Sequence, residues 1–215
     1  MARLSSTQIL DARLDDWRML ATALHARFLT ADFTTGISFV TAVAEAAEQA
    51  DHHPDVDLRY TFVDIALVSH DVSGVTRRDL ALARRISEIA LEQGIPADPS
   101  AVREVELALD TADLAGLGPF WAVLLTGSAE AVSGTDVVDP GGRVPLLWFQ
   151  ETDAHDTPRQ RFHVDLWVPH DLADQRIAAA VAAGGRVVSD VAAPSFVVLA
   201  DPDGNRVCVC TFLGR

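Results

Sequence analysis

The sequence predicts an α+β protein built from two domains, residues 1–96 and 101–215. Three observations lead to this fold class. Segments whose apolar residues recur with helical spacing are interleaved with short segments in which apolar and polar residues alternate, as in half-buried strands. The stretch Ile95-Pro96-Ala97-Asp98-Pro99-Ser100 interrupts both rhythms, because two prolines stop a helix and cannot continue a strand ladder. Beyond it a strand, a helix and short strands follow one another, and the order restarts after Pro158-Arg159, as two βαβββ units in tandem would.

Ser5 and Gln8 have the spacing of a capping box and open a short helix ending near Leu14. Trp17 to Leu29 alternates loosely and suits a hairpin, although no turn dipeptide marks its centre. Asp32 or Thr34 caps a helix over 35–50, with Ile37, Val40, Val43, Ala44 and Ala47 as its apolar stripe. Asp51 to Pro54 breaks that helix, and Leu58 to Ser69 reads as one strand or two. Thr76 caps a helix from Arg77 to about Gln93, ended by Gly94 and Pro96, with a stripe of Leu80, Ala83, Ile86, Ile89 and Ala90. In the second half, Glu104 to Asp110 is a strand, Ala112 to Leu125 a helix, and short strands run toward Phe149. Phe162 to Val168 is a strand and Leu172 to Ala183 a helix ended by Gly184-Gly185, and the last strand is Val207 to Phe212.

Three of the seven histidines fall in one short window. It reads Asp51-His52-His53-Pro54, then Tyr60, then the alternating run from Val63 to Ser69, then His70-Asp71, Gly74-Val75-Thr76 and Arg78-Asp79. A lone histidine is commonly a satisfied core or surface residue, and a His-His pair before proline could simply cap an element. Three histidines could also hold zinc with one position open. His70, however, ends a strand-like run, and active-site groups favour element ends and the loops beyond them.

The whole spaced pattern resembles the pterin-4a-carbinolamine dehydratase family, and residues 4–94 span it end to end. The resemblance implies a four-stranded antiparallel sheet with helices on one face. It implies the loss of hydroxide from C4a and of a proton from N5 of a 4a-carbinolamine. Histidine suits this chemistry, since its unperturbed pKa of ~6.5 lets it give or take a proton near neutrality. Neither a metal nor another cofactor is implied. By the same resemblance His52 and His70 are the proton-transfer pair, His53 binds and orients the substrate, and Asp79 supports and polarises the histidines. Two positions depart from the family's pattern: Val56 stands where a Trp is frequent, and Ser69 replaces the usual Thr.

The second half carries a further resemblance. Asp113, Phe120-Trp121, Pro145 to Gln150, Arg161-Phe162-His163-Val164-Asp165 and Asp201-Pro202-Asp203-Gly204-Asn205 are together similar to a glyoxalase-like domain of the vicinal-oxygen-chelate superfamily. That superfamily usually holds a divalent metal with His, Glu or Gln across a cupped sheet. His163 and Glu106 fall at ligand positions, and Gln150 could supply a third. The last-strand position holds Cys208 rather than Glu, so the usual ligand set is incomplete. His163 reads as a polar strand residue bonded to Asp165 or Arg161.

Composition bounds the rest. A net charge of −14 disfavours nucleic acid and anionic membranes as partners. All 17 basic residues are Arg, which removes Schiff-base chemistry through lysine. Cys208 and Cys210, two apart in a strand, point the same way and read as a reduced, cytoplasmic pair. His25, His155 and His170 lack partners in the sequence and read as surface residues. The expectation is a cytoplasmic enzyme, with a pterin as its small-molecule substrate and a homodimer as its assembly. A non-enzymatic binding or regulatory protein is one alternative. Small-molecule binding or metal-dependent chemistry in the second domain is the other.

Overall fold

The structure, a computed structural model, describes residues 2–112, 114–126, 128–142, 144–153, 162–182, 185–200 and 206–215. The chain forms two compact units. The first takes in Met1–Arg103 with the short segments Val168–Leu172 and Thr211–Arg215, and the second Glu104–Trp167 with Ala173–Cys210. No helix among the described residues is long and apolar enough to cross a membrane.

In the first unit α1 (Ser6–Asp11) is opened by the Ser5–Gln8 capping box. A hairpin follows, β1 (Arg18–Leu20) and β2 (Ala23–Leu29). Its tight turn is carried by Ala21 at φ 47°, a conformation normally left to glycine, so the sequence held no turn dipeptide to find. Then come α2 (Phe33–Ala50), β3 (Asp55–Leu58), β4 (Phe62–Leu67) and α3 (Arg77–Glu92). The strands form one antiparallel sheet in the order β1-β2-β4-β3.

Strand alternation decides where the core lies. Leu24, Ala26 and Phe28 on β2 and Val63, Ile65 and Leu67 on β4 all point to the buried side. The α3 stripe Leu80, Ala83, Ile86, Ile89 and Ala90 is buried as expected. The α2 stripe is corrected: Ile37 and Ala44 are exposed, and the inward face is Gly36, Phe39, Val43, Ala46 and Ala47. Small and apolar residues surround this helix, so spacing alone left its orientation open. Phe39 settles it, packing its ring 5.1 Å from that of Phe28, which also meets Trp17 at 6.0 Å. Burying each such aromatic contributes about 1.5–3 kcal/mol. Gly36 lies at a close approach, since a Cβ there would lie 2.6 Å from Leu58 Cδ1 and oblige that side chain to shift.

The stretch expected to be a plain linker is anchored. Leu29 N donates to Pro96 O and Asp98 N to Arg27 O, both at 2.8 Å, so Ala97 bridges Phe28. The prolines leave their carbonyls and the amide of Asp98 to make these bonds, which permits one bridge but no continued ladder.

The second unit repeats βαβββ. The first half is β5 (Glu104–Thr111), α4 (Leu114–Thr126), β6 (Val132–Ser133), β7 (Asp136–Val137) and β8 (Leu147–Glu151). The second is β9 (Phe162–Trp167), α5 (Ala173–Ala182), β10 (Arg186–Ser189), β11 (Phe196–Ala200) and β12 (Arg206–Cys210). Each half pairs its first strand in parallel with its last, β5 with β8 and β9 with β12. The halves join through antiparallel β5 and β9, giving an eight-stranded sheet ordered β10-β11-β12-β9-β5-β8-β7-β6. Leu109, Leu147 and Phe149 pack with Ala122 of α4 on one face.

Candidate active site

The candidate residues converge at three element ends of the first unit. At the first, Asp51 ends α2 in the left-handed conformation, φ 46°, and His52 N donates back to Ala47 O at 3.2 Å. This turn points His52 inward and leaves His53 outside. His52 is 8% exposed and its Nε2 lies 2.7 Å from Asp79 Oδ1. His53 is exposed, with Nε2 3.1 Å from Glu48 Oε1.

The second end follows β4. Ser69 is buried, His70 is exposed, and Ser69 pairs with Gly74 across a tight loop in which Ser73 takes φ 49°. Arg78 forms an ion pair with Asp71 and ties this loop to α3.

The third end is the start of α3, where Thr76 caps the helix and Asp79 completes a capping box. The box is local, since Thr76 and Asp79 have the spacing that lets a third-residue carboxylate reach back to the cap. Here the carboxylate does more. Asp79 has no exposed surface, and its Oδ2 accepts from Ser69 Oγ at 2.7 Å, from Thr76 N at 2.7 Å and from Thr76 Oγ1 at 3.0 Å. Its Oδ1 accepts from His52. Burial pushes the Asp79 carboxyl up, but the bonds from Ser69, Thr76 and His52 outweigh it and hold the group below its ordinary 3.8. Asp79 is therefore a carboxylate at neutral pH, able only to accept in its contact with His52 Nε2.

The structure thus joins His52 to Asp79 directly and places His70 next in the chain after Ser69, another partner of that carboxylate. It does not bring His53 into the network. The sequence reading gives Ser69 and Thr76 places in the spaced pattern, and Thr76 a role as a cap, but no shared role, because that depends on a fold that returns both to Asp79. His53 and His70 are open to solvent. A cavity of about 390 Å³ lined by Ile9, Leu14, Trp17 and Met19 among others shares no residue with this site.

Two histidines read as surface residues are corrected. His25, on β2, is half-buried, and desolvation lowers its pKa from 6.5 to about 4 against the raising influence of Asp64 and Asp55. His170 is half-buried, edge-on to the Phe212 ring at 5.2 Å, and burial lowers its pKa as well. His155, residues 201–205 and the side chain of His163 lie outside the described residues.

On the second unit's sheet, Glu106 and Asp165 face each other across β5 and β9. Trp167 Nε1 donates to Glu106 Oε2 at 2.5 Å and Trp148 Nε1 to Asp165 Oδ2 at 3.1 Å. Cys208 is in register with Asp165, and both it and Cys210 are thiols. Burial raises the Glu104 carboxyl above 4.5. Among the described residues no three His, Cys, Asp or Glu side chains are grouped to hold a metal.

Comparison with known proteins matches two stretches of the chain to two families. Residues 2–89 match the family model for pterin 4 alpha carbinolamine dehydratase, and residues 106–210 the model for a glyoxalase-like domain. A relative from Chloroflexus aggregans named "Putative pterin-4-alpha-carbinolamine dehydratase" is 48% identical over 92 residues, 41% of this chain and 98% of that protein. A protein of the same name from Mycolicibacterium smegmatis is 42% identical over 92 residues, 41% of this chain and 97% of its own. A crystal structure of a transcriptional coactivator/pterin dehydratase from Brucella melitensis aligns with a TM-score of 0.40 at 34% identity, covering 41% of this chain and 99% of that one.

Proposed function

The chain belongs to the pterin-4-alpha-carbinolamine dehydratase family through its N-terminal part, and from that premise we propose that this part dehydrates 4a-hydroxytetrahydropterin to the quinonoid dihydropterin. The C4a–O bond breaks, N5 gives up its proton, a C4a=N5 bond forms, and hydroxide and proton leave as water. His52 takes the N5 proton. The carboxylate of Asp79 behind it stabilises the imidazolium that results. His70, exposed at the loop beyond β4, protonates the departing hydroxyl. His53, exposed beside His52, binds and orients the pterin. The reaction recycles pterin in the cytoplasm, a setting that the two thiols Cys208 and Cys210 support.

The observation that carries this reading is the 2.7 Å contact between buried Asp79 and His52, a buried histidine fixed by a carboxylate. The test is a hydroxylase-coupled absorbance assay of 4a-hydroxytetrahydropterin dehydration with the full chain and its His52→Ala and His70→Ala variants. Dehydration above the uncatalysed rate, lost in both variants with far-UV circular dichroism unchanged, is expected. A folded wild-type chain that leaves the uncatalysed rate unaltered refutes it.

A further inference from the structure

We propose that Ser69 is a positioning residue, which holds Asp79 so that His52 is fixed as its Nε2–H tautomer and exchanges protons through Nδ1. This deepens the dehydratase reading and rests on it for the kinetic arm alone. Three elements grip the carboxylate. Thr76 belongs to the same capping turn as Asp79, so its two bonds set the carboxylate only relative to α3. His52 reaches it from the end of α2. Ser69 reaches it from the end of β4, and its bond of 2.7 Å is the one hydrogen bond that joins the end of this central strand to Asp79 among the described residues.

The consequence is chemical as well as mechanical. With Oδ2 occupied by Ser69 and Thr76, the carboxylate presents Oδ1 to His52. A carboxylate can only accept, so it selects the imidazole that carries its proton on Nε2. The second ring nitrogen, Nδ1, then holds the lone pair, and no hydrogen bond among the described residues engages it. Ser69 Oγ also lies 2.8 Å from Thr76 Oγ1, so the two hydroxyls, with one proton each, stand side by side against the carboxylate. Threonine in place of Ser69 would supply the same oxygen, and alanine would remove it.

The test is side-chain ¹⁵N NMR on the full chain labelled at histidine, without substrate, with the His52 signals assigned by their loss in His52→Gln. The wild type is expected to show His52 protonated at Nε2 and bare at Nδ1. Ser69→Ala is expected to show a mixture of tautomers, and Ser69→Thr to restore the single form. In the dehydration assay kcat of Ser69→Ala should fall about tenfold or more with KM unchanged, the scale of one lost hydrogen bond to a charged group, and Ser69→Thr should retain the rate. A wild-type His52 protonated at Nδ1, or a single Nε2–H tautomer kept in Ser69→Ala, overturns the proposal. The spectrum decides this even where no turnover is found, an outcome that instead overturns the dehydratase reading.

Discussion

Replacing Asp79 by Asn changes one atom and should invert the chemistry of His52. The side chain has no exposed surface, and three donors converge on Oδ2 within 3.0 Å, namely Ser69 Oγ, Thr76 N and Thr76 Oγ1. The carboxamide oxygen must turn to meet them, because an NH₂ group there would leave buried donors facing donors. The NH₂ group then faces His52 Nε2, 2.7 Å away in the wild type. Two donors cannot share that contact, so His52 moves its proton to Nδ1 and offers Nε2 as an acceptor. The lone pair needed for N5 deprotonation is gone. The expected loss is the general acid–base share of the rate, about 10²–10⁴-fold in kcat. Stability should fall by only about 1–2 kcal/mol, since a charge-assisted bond is replaced by a neutral one. The coupled dehydration assay reads the rate and urea unfolding reads the stability. A folded Asp79→Asn enzyme with wild-type kcat refutes the reasoning, and one that fails to fold shows that the carboxylate is chiefly structural.

Two other outcomes follow from the same geometry. Asp79 has a lowered pKa in the folded chain, so the stability it contributes is fully present above its ordinary 3.8 and is lost as pH falls through its lower folded value. Melting temperatures measured from pH 7 to pH 2 should therefore converge for wild type and Asp79→Asn at the acid end, and a constant difference would disprove the linkage. His53→Ala should raise KM while leaving kcat within a few-fold, and should shift stability by no more than about 0.5 kcal/mol, because its partner Glu48 is exposed. A selective loss of kcat would place His53 among the proton-transfer groups instead.

Much of the first unit was legible because its signals are local. The Ser5–Gln8 box and the cap at Thr76 each depend on residues within one turn and form where spacing placed them, and of the two caps the sequence offered for α2, Asp32 or Thr34, it is Asp32 that forms. The two βαβββ repeats were legible for a similar reason, since each helix and strand carries its own period. What was not legible depends on distant partners. The turn at Ala21 uses a conformation its residue type does not advertise. The inward face of α2 is chosen by Phe39 meeting Phe28, and the bridge at Ala97 by an edge of β2 that the linker sequence cannot reveal. His25 offers no sequence sign that burial lowers its pKa. In the candidate site, His52, His53, His70 and Asp79 were read from a pattern. The pattern does not say which of them touch, and the division between the buried His52–Asp79 pair and the exposed His53 and His70 came from the fold.

The capping box at the head of α3 has a consequence for how such a chain can drift over generations. One carboxylate both starts that helix and anchors His52. Selection for the fold therefore protects Asp79 even where selection for turnover has lapsed, whereas the His70 side chain, exposed and with no hydrogen bond to the described residues, has no such shelter. Descendants that abandon the reaction for a role in binding should shed the outer histidines early and keep the aspartate. An intact aspartate would then be a poor witness to activity, and His70 a good one.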